Sequence, residues 1–134
     1  MDAVETAQRL ADEVLFRAAL ATDAAGAIPV ASLDALADAG LYGAALPDDL
    51  EATCAVLEAL GGGCLSTAFV WIQHLGVLRA AMSSEHAHVR EQWSEPLARG
   101  ERRGGLALGG ALPGPPLLRA RATDGGWLLN GCSP

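Results

Sequence analysis

A chain of 134 residues that is 51% hydrophobic and carries a net charge of −7 has room for one domain, or one domain and part of another, and enough apolar residues to bury a core. Its nine basic residues are all arginines, which excludes a phosphate-loop lysine, a Schiff-base lysine and a lysine-rich arm, and the acidic balance leaves no footprint for nucleic acid. The charge is uneven: residues 1–67 hold eleven acids and two arginines, residues 68–134 five acids and seven arginines.

The N-terminus, MDAVETAQRL, lacks the basic start and apolar run of a secretory signal, which points to a cytoplasmic protein. Val4, Ala7, Ala11, Val14, Leu15 and Ala18 fall at helical spacing and predict a first helix from Asp2 to Asp23. Ala24–Pro29 is a break. Pro29 starts a short helix with Val30, Leu33, Leu36 and Ala37 on one face, ended by Gly40. Leu41–Pro47 reads as extended. Asp48 or Asp49 caps the next helix, whose expected buried stripe is Leu50, Cys54, Leu57 and Gly61. Gly61-Gly62-Gly63, with no lysine and no phosphate-loop spacing, reads as a flexible joint.

The stretch Ser66–Met82, STAFVWIQHLGVLRAAM, has no wide polar face. It predicts a central helix buried all round, capped by Ser66 or Thr67 and broken at Ser83-Ser84. Gln73 and His74 interrupt it and argue against a membrane span. A helix over Glu85–Arg99 follows, with Val89, Trp93 and Leu97 inward, stopped by Gly100. Beyond Gly100 the texture changes to strand and turn signals: Gly104–Leu108, Leu117–Ala122, and Trp127–Leu129 between Asp124-Gly125-Gly126 and Asn130-Gly131. The expected fold is mostly α: a helical domain over residues 1–100, then an incomplete β-domain segment over 101–134. Three short strands without return partners would expose edges, so the chain reads as the front part of a longer protein.

Four stretches in order resemble the acyl-CoA dehydrogenase family. They are Leu36-Ala37-Asp38-Ala39-Gly40-Leu41-Tyr42-Gly43 with Leu46-Pro47-Asp48; Leu57-Glu58-Ala59-Leu60 leading to Ser66-Thr67-Ala68 and His74; Pro96-Leu97-Ala98-Arg99-Gly100-Glu101; and Asp124-Gly125-Gly126-Trp127-Leu128-Leu129-Asn130-Gly131. The resemblance implies an N-terminal helical domain, a middle β domain and a C-terminal four-helix domain, of which this chain would hold the first and the start of the second. It implies FAD as cofactor, acyl-CoA as substrate, and a homo-oligomer or paired subunit in the complete protein. The family's catalytic Glu lies in the C-terminal domain, so no residue here is assigned as the base.

The family's first β strand ends in a run whose hydroxyl residue and neighbouring backbone hydrogen-bond the flavin, and whose later Ser helps hold the substrate. The matching run here is Leu106–Pro116. Leu108, Gly109 and Gly110 are the candidate flavin contacts and Gly114 a candidate substrate contact. Gly109 stands where the family has the hydroxyl, Gly110 where it has Glu, and Pro115-Pro116 where it has Ser-Asp. That substitution raises a second reading: a relative that has lost flavin chemistry and serves as a non-catalytic subunit or binding partner. An unrelated helical interaction domain is a third, against which the hairpin signature argues.

His74 is either a satisfied core residue or a polar group lining the acyl cavity. Arg102-Arg103 is either a solvated turn or a contact for a CoA phosphate. Glu58 and Glu101 read as solvated or capping groups, Tyr42 and Trp71 as packing residues. His86 and His88 lie two apart, the wrong spacing to chelate from one helix face. Cys54, Cys64 and Cys132 lack metal or redox spacing and read as small buried residues in a reducing compartment.

Overall fold

A computed structural model describes residues 2–44, 49–107, 114 and 117–132. The chain opens with a continuous helical run in three parts: α1 (Ala3–Leu10), a π turn (Ala11–Leu15) and α2 (Phe16–Ala25). The run matches the expected first helix, with Ala7, Ala11 and Leu15 buried as the spacing requires and Leu10 added to them. Gly26, left-handed at φ 62°, ends it. Pro29 sits at the N-cap of α3 (Val30–Asp38), and Gly40 follows its C-terminus at φ 69°. Leu36 is buried, but Val30 is 65% exposed, so the expected face is only partly inward.

Leu41–Ala44 forms a single helical turn, α4, rather than extended chain; the rest of that expected stretch, residues 45–47, lies outside the described residues. The two bulky residues Leu41 and Tyr42 are buried there, and the amides of Gly43 and Ala44 bond back to the Gly40 carbonyl. Asp49 caps α5 (Leu50–Gly63): its Oδ1 accepts the Ala52 N–H at 2.9 Å. The buried stripe of α5 is Thr53, Val56, Ala59, Leu60 and Gly63. Leu50 and Cys54, expected in it, are exposed. Gly61–Gly63 is not a joint but the last turn of α5. A Cβ on Gly63 would stand 2.7 Å from Ala11 Cα and 2.8 Å from its carbonyl oxygen. Gly63 is therefore the point where α5 touches the backbone of the π turn.

The central helix, α6, spans Leu65–Met82. Its N-cap is Cys64, and Thr67 does not cap it but donates its hydroxyl to Cys64 Sγ at 3.3 Å. Trp71, His74, Leu75 and Leu78 are buried, whereas Leu65, Phe69, Val70 and Met82 are exposed. The expected all-round burial fails because α4, α5 and α7 pack on this helix without covering its whole circumference. Helix α7 (Ala87–Ala98) buries Leu97; Trp93 is 40% exposed and Val89 half-buried, so only one of its three expected inward residues is fully in. The main core joins Leu10, Leu15, Leu36, Tyr42, Leu60 and Trp71. A smaller one joins Leu78, Ala81 and Leu97 between α6 and α7.

Residues 103–107 carry no strand, against the expectation over Gly104–Leu108, whose last residue lies outside the described residues. The two later strands form as an antiparallel hairpin: β1 (Leu118–Thr123) and β2 (Gly126–Gly131), joined through Asp124-Gly125. Every hairpin residue is exposed. The fold is thus mostly helical with a small two-stranded sheet following the helices. Among the described residues, no helix is long and apolar enough to cross a membrane. The three cysteines are free; Cys64 is buried, while Cys54 and Cys132 are exposed rather than buried as expected.

Candidate functional site

The chemistry-bearing residues of the helical part gather where the chain leaves α7 and crosses α6. Gly100, at φ 70°, turns the chain against α4 and α3: a Cβ there would collide with the Tyr42 ring and stand 2.8 Å from Ala37 Cβ. The segment then runs over α6. A Cβ on Gly104 would lie 2.7 Å from Val77 Cγ1, so glycine lets the backbone sit against the helix. Leu106 donates its N–H to Gln73 Oε1 at 3.4 Å, and its side chain lies over Gly76.

His74 is the centre of this crossing and is 1% exposed. Its Nε2 is 3.0 Å from the Leu97 carbonyl oxygen, and Gly104 donates its N–H to Nδ1 at 3.2 Å. A carbonyl only accepts and an amide N–H only donates, so the partners require a neutral ring with its proton on Nε2. Tyr42 meets the ring edge-on, with centroids 4.5 Å apart. Burial lowers the His74 pKa; the Leu97 carbonyl opposes the shift and Arg103 adds to it. Burial raises the Tyr42 pKa, and Arg103 works against that rise.

Arg102 and Arg103 are both exposed, as expected of a solvated turn, and Arg103 also reaches back to the helices. Its Nη2 lies 2.5 Å from Asp34 Oδ1 on α3, and its guanidinium stands 6.0 Å from the Tyr42 ring centre. With side chains 31% and 56% exposed, the ion pair contributes at most about 1 kcal/mol. Its geometric effect is to fasten the connection to α3. Sequence reasoning missed this pair and Gln73, because partners 69 and 33 residues apart leave no mark in local spacing.

The candidate flavin contacts Leu108, Gly109 and Gly110 lie outside the described residues. Gly114 is described; it is exposed, at φ 139°, and a Cβ there would meet nothing within 4 Å. His74 and Gly114 are therefore not in contact. A small apolar cleft of about 200 Å³ lies between α5 and α6, lined by Leu50, Thr53, Ile72, Leu75, Gly76 and Arg79. It is smaller than the roughly 300–1,000 Å³ of ordinary ligand pockets and cannot hold a whole acyl-CoA. Trp71 donates its indole N–H to the Leu41 carbonyl at 3.1 Å and, like Tyr42, is a packing residue. Glu58 and Glu101 are not buried. The His86 and His88 rings come within 5.7 Å because His86 lies before α7 rather than on it, yet no three His, Cys, Asp or Glu side chains group for a metal among the described residues.

The family model for the acyl-CoA dehydrogenase N-terminal domain matches residues 2–101. No curated protein and no solved structure matches the chain. The matched stretch runs from the start of α1 to the residue after Gly100, and so contains every helix described above. With 100 of its 134 residues inside that one domain, the chain belongs to the acyl-CoA dehydrogenase family.

Proposed function

We propose that this chain supplies the N-terminal helical domain, residues 1–100, and the opening of the middle β domain, residues 101–134, of an FAD-dependent oxidoreductase acting on the CH–CH group of acyl-CoA thioesters. The observation that supports this best is the order of parts: a helical domain matched over residues 2–101, followed by the Leu118–Gly131 hairpin. FAD, when bound, supplies the acceptor for the hydride leaving the acyl β-carbon. No residue of this chain is assigned the α-proton, so these residues alone are inactive.

The chain's own contribution is positional. Leu108, Gly109 and Gly110 offer backbone N–H groups to a flavin edge, and two glycines permit close approach. They bring no side-chain hydroxyl, so the donor set fits a flavin only through the backbone. Gly114 takes the place of a substrate contact by resemblance to the family, and Pro115-Pro116 beside it has no N–H to donate. His74, 1% exposed and with both ring nitrogens engaged, would meet an acyl chain only where the packing around it opens. The complete protein works in the cytoplasm as a homo-oligomer or as one of a subunit pair.

The second reading, a non-catalytic relative, is favoured by the same run: Gly109-Gly110 and Pro115-Pro116 remove every side chain with which the family contacts flavin and substrate there. The visible spectrum separates the two. The chain is expressed alone and with its natural downstream sequence, each supplied with FAD. A flavin band in the longer form is expected. A folded longer form with no flavin would overturn the oxidoreductase reading and establish the non-catalytic one.

A further inference from the structure

His74 joins three elements through hydrogen bonds that only one protonation state can make. The Leu97 carbonyl at the end of α7 needs a donor at Nε2, and the Gly104 amide needs an acceptor at Nδ1. A doubly protonated ring keeps the first and loses the second, since two N–H groups would then face each other. No small adjustment restores the contact, because Gly104 already lies against Val77 with no room for a Cβ. The remaining holds on this part of the segment are weaker: the Leu106 amide on Gln73 is 3.4 Å long and exposed.

We propose that His74 is a proton-operated latch: neutral, it pins Gly104 to α6; protonated, it releases residues 104–107, which then pivot on Arg103 while the helices stay folded.

The groups facing the ring agree with this direction. From α4 comes the edge of Tyr42, from α7 the Leu97 carbonyl, and from the connection Arg103, whose charge opposes protonation and is itself held by Asp34 of α3. Burial lowers the folded-state pKa below the ordinary 6.5. The latch's stabilisation is therefore complete above about pH 6.5 and is lost as the pH falls through the lowered folded-state value.

Amide hydrogen exchange on the 134-residue chain tests this at two reporters, the Gly104 N–H and the Trp71 indole N–H, which is bonded to Leu41 in the core. Between about pH 8 and about pH 5, Gly104 should lose at least about tenfold in protection after correction for intrinsic rate, while the indole keeps its protection. In His74→Asn, whose amide oxygen accepts at the Nδ1 position without titrating, the loss at Gly104 should vanish. Gly104 and Trp71 losing protection together, or an undiminished loss in the variant, overturns the latch. Should the variant not fold, the ring ¹⁵N shifts of His74 in the unaltered chain decide. Protonation of Nδ1 in step with the loss at Gly104 supports the latch, and a loss at Gly104 that does not follow the His74 titration overturns it.

Discussion

Gly62 and Gly63 are neighbours on the last turn of α5 and face opposite environments. A Cβ on Gly63 would press on the Cα, Cβ and carbonyl oxygen of Ala11 at 2.7–2.8 Å, whereas one on Gly62 would meet nothing within 4 Å. Ala11 begins the π turn, so the obstruction is mainly backbone and cannot rotate away. Gly63→Ala should therefore destabilise the fold by about 1–3 kcal/mol, the usual cost of forcing a methyl into a closed contact. Gly62→Ala should be neutral or stabilise by up to about 1 kcal/mol through helix propensity alone. Urea midpoints for the two variants check this, and equal shifts would mean that α5 does not rest on the π turn. Three consecutive glycines look the same in sequence whether they provide flexibility or close approach, which is why the contact was not legible there. His74 shows the same limit from the other side. Its burial on the central helix was legible, but its partners are the backbone groups of Leu97 and Gly104, which no side-chain pattern encodes.

Among the elements, α6 was the easiest to read, because an apolar run between a glycine cluster and Ser83-Ser84 bounds a helix whatever surrounds it. The stripe of α5 was misplaced because ATCAVLEALGGG is apolar or small at nearly every position and gives periodicity no contrast. The same lack of contrast hid which side of α6 stays in water: Phe69 is 61% exposed and Trp71 fully buried, two residues apart. The hairpin register divides its residues clearly. Leu118, Ala120, Ala122, Trp127 and Leu129 share one face, and Arg119, Arg121, Thr123, Asn130 and one apolar residue, Leu128, lie on the other. That alternation was legible; that the apolar face has no partner among the described residues was not. What ties α6 to α4 is the Trp71 indole on the Leu41 carbonyl. Trp71→Phe removes the indole donor from that buried carbonyl, a hydrogen bond contributing about 0.5–1.5 kcal/mol, and adds the cost of a cavity. Trp93→Phe, on a residue 40% exposed, should stay within about 0.5 kcal/mol. Chemical denaturation of both variants measures the difference, and similar midpoints would remove Trp71 as the joint between these helices.

For the whole molecule, the acidic helical part and the arginine-bearing hairpin are joined by a connection that belongs structurally to the helices. Gly100 packs on Tyr42, Arg103 pairs with Asp34, and Gly104 and Leu106 bond to His74 and Gln73. The hairpin, by contrast, is exposed at every residue from Leu118 to Gly131. Burial is the dominant stabilising term, and the hairpin therefore contributes little to the helical core. A cut after Ala107 should leave the urea midpoint of the helical domain unchanged within error. A cut after Gly100 removes the segment and leaves Nδ1 of the buried His74 without its donor, Gln73 without Leu106, and Asp34 without Arg103. An unsatisfied buried acceptor costs about 1–3 kcal/mol, so this second cut should lower the midpoint visibly although it removes only the short stretch 101–107 in addition. Loss of stability at the Ala107 cut would show instead that residues beyond the connection pack on the helices. Equal stability at both cuts would mean that the crossing over α6 makes no energetic contribution, and the independent core would then end at Gly100.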